Sequence, residues 1–434
     1  MKHAGAVRPG VIGKDGRTSA VIEAFRRSPR VRDVVRLSDG RPSAHDLEET
    51  IARARASAVD FVFVGPEAPL GDGYVDALQS KLGVPCVGPT QSLARLETSK
   101  AFTRELLARH RIAGNPEHRI FRDLAGLPAY LRELDGFVVK PDGLTGGKGV
   151  KVSGEHLQTV DEACAYASEL RADGHAAVII EEKLDGEEFS LQSFCDGEHV
   201  VDMVVVQDHK RAREGDVGPN TGGMGSYSCA DHRLPFLEPG DLAAASAINA
   251  AVARALLAET GAPYRGVLYG GFILTARGVR LIEYNARLGD PEALNVLPLL
   301  RTDLVDVCEA IIGGTLDRLR VDFAPLATVC KYVVPEGYPD RPVKNVRLDL
   351  ASVPASSDRL KVYAAAVDER EGALVMTGSR ALGFVGLGES LEQAERIAEE
   401  AASAVQGPVY HRRDIGTAAL IARRCDHIAR LRAS

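Results

Sequence analysis

The stretch Lys140-Pro141-Asp142-Gly143-Leu144-Thr145-Gly146-Gly147-Lys148-Gly149-Val150 closes an apolar run with a lysine, then follows it with four glycines and a second lysine. Glycine lets backbone N–H groups approach oxygen atoms closely, and two ammonium groups neutralise polyphosphate charge. The combination therefore has the makings of a phosphate clamp. It is not a Walker loop, because no Gly-Lys-Ser/Thr stands at the required spacing. Taken alone, it is explained equally well as a glycine-rich hairpin turn. Its surroundings decide between the two.

Upstream, Gly136-Phe137-Val138-Val139 is a strand that delivers Lys140. Downstream, a helix around 159–169 leads to a second strand, Ala177-Val178-Ile179-Ile180-Glu181, which runs into the acidic turn Glu182-Lys183-Leu184-Asp185-Gly186-Glu187-Glu188. Backbone groups after such a strand can read an adenine edge, and a trailing carboxylate can hold ribose hydroxyls. A solvated charged turn is the plainer account of the same residues. Further on, Leu281-Ile282-Glu283-Tyr284-Asn285-Ala286-Arg287-Leu288-Gly289-Asp290-Pro291-Glu292 places Glu283 and Asn285 two apart, on one face of a strand. A carboxylate beside an amide oxygen suits a magnesium ion bridging nucleotide phosphates. Arg287 falls on that same face and can hold phosphoryl oxygens. Between these segments lie Gln207-Asp208-His209-Lys210-Arg211 and the glycine-rich Gly218-Pro219-Asn220-Thr221-Gly222-Gly223-Met224-Gly225. Loops of this kind carry binding groups, although a lone His209 reads first as an ordinary loop histidine.

The chain has 434 residues, too many for one core, so two or three domains are expected. In the first hundred residues strands alternate with helices: 11–13, a helix over 18–27, the buried run 59–64, a helix over 76–82 and a short strand at 84–89. That alternation predicts a doubly wound, Rossmann-like sheet with ligands at the carboxyl ends of its strands. Residues 90–119 read as helical, 189–194 and 200–206 as a hairpin, 241–259 as a helix, and 266–274 with 279–284 as a second hairpin. After Gly314 come short strands and turns, a helix over 390–404 and an Ala/Arg-rich, solvated amphipathic helix after Gly416. With 26% charged residues of both signs and a net charge of −7, the chain has no electrostatic footprint for nucleic acid. No apolar run approaches the roughly 20 residues that cross a bilayer, and the N-terminus does not read as a signal peptide. Seven scattered cysteines, never spaced as CxxC, suggest neither disulfides nor zinc and point to a reduced, cytoplasmic protein.

In order and spacing these segments, together with Gly65-Pro66-Glu67-Ala68-Pro69-Leu70, resemble the phosphoribosylamine–glycine ligase family within the ATP-grasp superfamily. Lys331-Tyr332-Val333-Val334-Pro335-Glu336-Gly337-Tyr338-Pro339, Gly378-Ser379-Arg380-Ala381 and His411-Arg412-Arg413-Asp414-Ile415-Gly416 extend the likeness to the C-terminus. The resemblance implies an α/β and α+β multidomain chain. Its parts would be a Rossmann-like substrate domain over 1–95, an ATP-grasp domain over 96–316 with a lid near 115–185, and a small α+β domain over 317–434. It also implies ATP and Mg²⁺ (or Mn²⁺), small-molecule substrates (an amino acid and a phosphorylated sugar amine), no nucleic acid, no membrane, and a monomer or homodimer. The reaction would run through a glycyl phosphate in purine biosynthesis. By position, Lys100, Lys140, Gly146, Gly147 and Lys148 would meet the phosphates, backbone at Glu181 and Leu184 the adenine, and Glu188 the ribose. Glu283 and Asn285 would hold the metal, with Arg287, Asp208 and Lys210 catalytic. The other substrates would meet Gly13, Gly16, Arg17, Glu67, Asp208, His209, Asn220, Gly222 and Asp290.

The N-terminus departs from that family. Arg8, Pro9 and Gly10 interrupt the first strand, which is expected to be short or at an edge. In the loop after it, where the family has the form G-x-G-x-R-E-H-A, Gly13, Gly16, Arg17 and Ala20 survive, but Thr18 and Ser19 stand where glutamate and histidine are usual. Leu37-Ser38-Asp39-Gly40-Arg41-Pro42 replaces the family's Pro-Gly-Asn-like loop. Two readings follow: the purine enzyme with a tolerated variation, or a paralogue joining an amino acid to another amine. A nonenzymatic nucleotide-binding relative is disfavoured, because the clamp lysines and metal ligands are all present.

Overall fold

The computed structural model describes residues 6–41, 43–145 and 149–433, so Pro42 and the loop residues Gly146, Gly147 and Lys148 lie outside the described residues. The N-terminal sheet has the order Val35–Ser38, Pro9–Ile12, Phe61–Val64, Cys86–Val87, all parallel. Pro9–Ile12 and Phe61–Val64 are buried throughout, as strands covered on both faces by crossover helices must be. The first strand is short, as expected, but it is central rather than at an edge. Pro9 is tolerated because it occupies the first strand position. Gly10 is there for packing: a Cβ would come within 2.8 Å of the Leu37 side chain.

Residues 90–119 split into Gln91–Thr98 and Lys100–Arg109, parted at Ser99, whose side chain caps the second helix. The tail of that region, His118–Phe121, is a strand. It opens a four-stranded antiparallel sheet with Val178–Glu182, Phe137–Pro141 and Lys151–Val152. Helices Leu127–Glu133 and Val160–Ala172 cover this sheet, and its apolar cluster, from Phe121 to Ile180, is separate from the main core. Facing it is a second antiparallel sheet of Val200–Asp202, Glu187–Cys195, Gly266–Thr275 and Gly278–Asn285. Both expected hairpins are present in it.

Helix Pro239–Thr260 is long and apolar enough by composition to cross a bilayer, which a search for unbroken apolar runs misses. It packs on the second sheet instead. Its fully buried Asn249 donates to Leu191 O at 3.2 Å and to Ser193 Oγ at 3.0 Å. A third sheet joins Gln207–Asp208 and Gly225–Ser228 to the C-terminal strands Ala327–Pro335, Leu382–Gly388 and Leu360–Ala364. The glycine-rich loop before Gly225 is thereby stitched to the C-terminal part of the chain. The final helix, Ala418–Ala433, is not simply solvated. Leu420 and Ile428 are buried, and Arg424 pairs with Glu187 at 3.1 Å.

Candidate active site

A cavity of about 530 Å³ lies between the sheet that carries Lys140 and the second sheet. On the first side, Lys140 and Glu181 project into it from neighbouring strands, 2.8 Å apart. Glu181 also takes a bidentate pair from Arg104, at 2.7 and 2.9 Å. Burial alone would raise this carboxyl, but Arg104 and Lys140 outweigh it and hold it at about 2. Glu181 lies inside the ladder, opposite His118 and Val138, with its side chain engaged by Lys140 and Arg104. Leu184, past the end of that strand, lines the cavity as well. Lys100, first residue of its helix, donates to Gly143 O at 2.9 Å and so ties that helix to the start of the glycine loop. Burial lowers its pKa, opposed by the Glu283 carboxylate.

On the opposite wall the second sheet presents Glu283, Asn285 and, just past the strand, Arg287 to one cavity, as period two requires. Burial would protonate Glu283, but Lys210, Lys140, Lys100 and Arg287 keep its carboxyl below the ordinary range. Arg287 donates to Asn285 Oδ1 at 3.1 Å and to Glu67 Oε2 at 3.1 Å, and pairs with Glu97 at 2.9 Å. Glu67 is held at about 2 because Arg287 and Arg17 overcome its burial. Glu97 is instead raised to about 7, since burial dominates there. Among the described residues no group of three His, Cys, Asp or Glu side chains is placed to hold a metal by itself. A charged carboxylate with one amide oxygen still fits a hard cation that keeps other oxygens from water or phosphate.

The third wall carries Asp208, His209, Lys210, Asn220 and Gly222. Lys210 pairs with Glu188 at 3.1 Å, and that carboxylate raises its pKa. Burial and the nearby Glu292 push Asp208 well above the usual carboxylate range. His209 is not an ordinary loop histidine. It is buried, neither ring nitrogen has a hydrogen-bond partner among the described residues, and burial with Arg412 holds it neutral, at about 3.

A second cavity, of about 420 Å³, shares Glu67 and Asp290 with the first and includes Arg17. Gly13 and Gly16 line neither cavity; their part is to permit close packing. A Cβ at Gly13, where φ is +132°, would stand 2.3 Å from Thr18 Oγ1, and one at Gly16 would stand 1.9 Å from the Tyr332 hydroxyl. The two departing residues have structural partners. Thr18 is fully buried, its N–H and hydroxyl donating to the capping carboxylate of Asp15 at 2.9 and 2.6 Å. Ser19 donates to Ala364 O at 2.6 Å. Glu97, Arg104 and Arg380 line the cavities and Tyr332 holds Asp290, yet sequence reasoning gave none of them a site role. Arg380 donates to the carbonyls of Gly222 (2.6 Å) and Asp290 (2.7 Å), joining the two cavities' walls. A buried glutamate or arginine on an amphipathic helix carries no local mark of its distant partner.

Three family models match in succession: the phosphoribosylglycinamide synthetase N domain over residues 9–97, its ATP-grasp (A) domain over 98–293 and its C domain over 328–418. Phosphoribosylamine–glycine ligase of Methanoregula boonei is 47% identical, covering 97% of this chain and 99% of the relative. That of Methanocella arvoryzae is 45% identical over the same shares. The crystal structure of phosphoribosylamine–glycine ligase from Thermotoga maritima superposes with a TM-score of 0.79 at 27% identity, covering 94% of this chain and 100% of that one. Biotin carboxylase from Campylobacter jejuni shares the fold, at a TM-score of 0.71 and 12% identity over 97% of this chain and 98% of that one. With its domains in this order and both cavities walled by the segments those domains contribute, the chain belongs to the phosphoribosylglycinamide synthetase family and is an enzyme, a ligase of the ATP-grasp type.

Proposed function

We propose that the chain joins glycine to 5-phosphoribosylamine at the expense of ATP, giving glycinamide ribonucleotide, ADP and phosphate. A glycine carboxylate oxygen attacks the γ-phosphorus of ATP, and ADP leaves. The amine nitrogen of phosphoribosylamine then attacks the acyl carbon, a proton is lost from nitrogen, and phosphate leaves. Such chemistry asks for placed charge rather than a covalent nucleophile. The observation that carries this reading is the junction of the two cavities. Arg287 faces the first, and its partner Glu67 lines both, so an acyl phosphate made beside Arg287 looks into the second.

In this reading Lys100 and Lys140 hold phosphate oxygens, joined by Gly146, Gly147 and Lys148. Leu184 meets the adenine and Glu188 the ribose, once Lys210 releases it. Glu283 and Asn285 would hold Mg²⁺ or Mn²⁺, which when bound would neutralise phosphate charge. Glu97 and Glu67 fix the Arg287 guanidinium so that it stands ready for charge developing on that group. Asp208, Lys210, Asn220 and Gly222 border the glycine side, while Arg17, Glu67 and Asp290 border the sugar amine. Buried His209 backs the Asp208–Lys210 segment. Domain boundaries fall near 95 and 316, with the lid over about 115–185.

The test is ADP release with ATP, Mg²⁺, glycine and freshly generated phosphoribosylamine, each omitted in turn. Release that needs both substrates, with glycinamide ribonucleotide seen by mass, is expected. Release indifferent to phosphoribosylamine would sink the reading.

A further inference from the structure

The second cavity is lined by four cations, Lys14, Arg17, Arg41 and Arg380, and they are not equally free. Arg17 is held by Asp15 at 2.7 Å and by Leu288 O at 2.9 Å. Arg380 is held by the carbonyls of Gly222 and Asp290. Lys14 has only a surface partnership: it donates to Asp368 Oδ1 at 2.8 Å, with Asp39 at 3.7 Å, and the Lys14 and Asp368 side chains are 32% and 34% exposed. Arg41 is exposed and makes no hydrogen bond or ion pair with any described residue. Across the same cavity Ser379, on the turn after the Val367–Arg370/Ala373–Met376 hairpin, has a hydroxyl that no described residue engages.

Half-exposed ion pairs of this kind contribute little by themselves. A phosphomonoester dianion carries twice the charge of a carboxylate and three acceptor oxygens, so it competes well for the same ammonium group. Asp368 has a second cation to fall back on, Arg370 at 3.3 Å, so giving up Lys14 does not strand it.

We propose that Lys14 and Arg41 form the clasp for the phosphate of the sugar substrate, and that Asp368 holds the place of that phosphate until the dianion displaces it. The proposal rests on the reading that the second cavity takes the phosphorylated amine. It also explains how the divergent loop keeps a substrate role. Thr18 and Ser19 are absorbed into helix capping and docking, while Lys14, in the same loop, faces the cavity.

Ribose 5-phosphate, a stable sugar phosphomonoester, is the probe, titrated calorimetrically into the full chain, with ribose and inorganic phosphate as separate arms. In K14Q and in R41Q its dissociation constant should rise about tenfold, the worth of one charge-assisted hydrogen bond, and the KM for phosphoribosylamine should rise more than that for ATP. D368N should bind it severalfold more tightly, a gain that a merely structural lysine would not show. Both cations are at the surface, so an unchanged melting temperature certifies the variants. Affinity within twofold of the parent in both K14Q and R41Q overturns the clasp. Inorganic phosphate binding as tightly as ribose 5-phosphate, with the same losses, overturns its assignment to the sugar. A parent chain that forms no amide, yet binds ribose 5-phosphate through Lys14 and Arg41, would fail the reaction and keep the clasp.

Discussion

The Tyr332 hydroxyl donates to Asp290 Oδ1 at 2.6 Å from the one position that a side chain on Gly16 would need. A strand of the C-terminal sheet, the turn after the strand that carries Glu283 and Asn285, and the first helix of the chain meet in that one contact. Arg17 N–H also donates to Asp290, at 3.3 Å, and burial is outweighed by Arg380 and Arg17, so the carboxyl is held below its ordinary range.

Gly16→Ala is therefore expected to cost about 1–3 kcal/mol in urea unfolding, because the new methyl group cannot share space with the hydroxyl. Adding Tyr332→Phe should recover much of the loss, since the next ring atom lies 3.2 Å from where the added methyl would sit. A Gly16→Ala protein as stable as its parent would refute the close contact.

Glu181 is the counter-ion for Lys140 and Arg104, and its folded-state pKa is depressed to about 2. A depressed carboxyl contributes stability that is present above the unfolded value of 4.5 and lost as pH falls towards 2. The contribution is on the order of 3 kcal/mol. Unfolding free energy measured from pH 6 to pH 2.5 should fall less steeply in Glu181→Gln than in the parent. The variant should start lower by about 3–5 kcal/mol, because two buried cations lose their partner. Parallel pH curves would remove Glu181 from this role.

Glu283 is kept ionised by three lysines and an arginine within the first cavity. Glu283→Ala should reduce Mg²⁺-dependent ADP release by at least about a hundredfold, the loss of several kcal/mol of charge stabilisation. Direct Mn²⁺ titration, followed by its electron paramagnetic resonance signal with nucleotide present, should show weakened binding. Unchanged turnover and Mn²⁺ affinity would dismiss the metal assignment.

Thr18→Glu, which returns the family's usual residue, is expected to destabilise by about 2–4 kcal/mol rather than to raise activity. Thr18 is fully buried and engaged by Asp15, so a glutamate there would set two carboxylates side by side away from water. A rise in phosphoribosylamine turnover in Thr18→Glu/Ser19→His would instead mark the present loop as drift.

The sequence by itself determined the order of the binding segments, the parallel N-terminal sheet, both hairpins, and the placing of Glu283 and Asn285 on one face. Each of these follows from local rules: strand period, glycine at turns, an apolar run closed by a charge. It also led to the family, because the ordered set of segments spans almost the whole chain. Tertiary structure alone decided that Pro9–Ile12 is central rather than at an edge, that the Glu181 side chain pairs with Lys140, and that His209 is buried without a partner among the described residues. It alone joined Arg104 to Glu181, Arg287 to Glu97, Gly16 to Tyr332 and Lys14 to Asp368. Those pairs lie far apart along the chain and come together only when separately folded layers pack, so no periodicity or spacing in either partner announces the other.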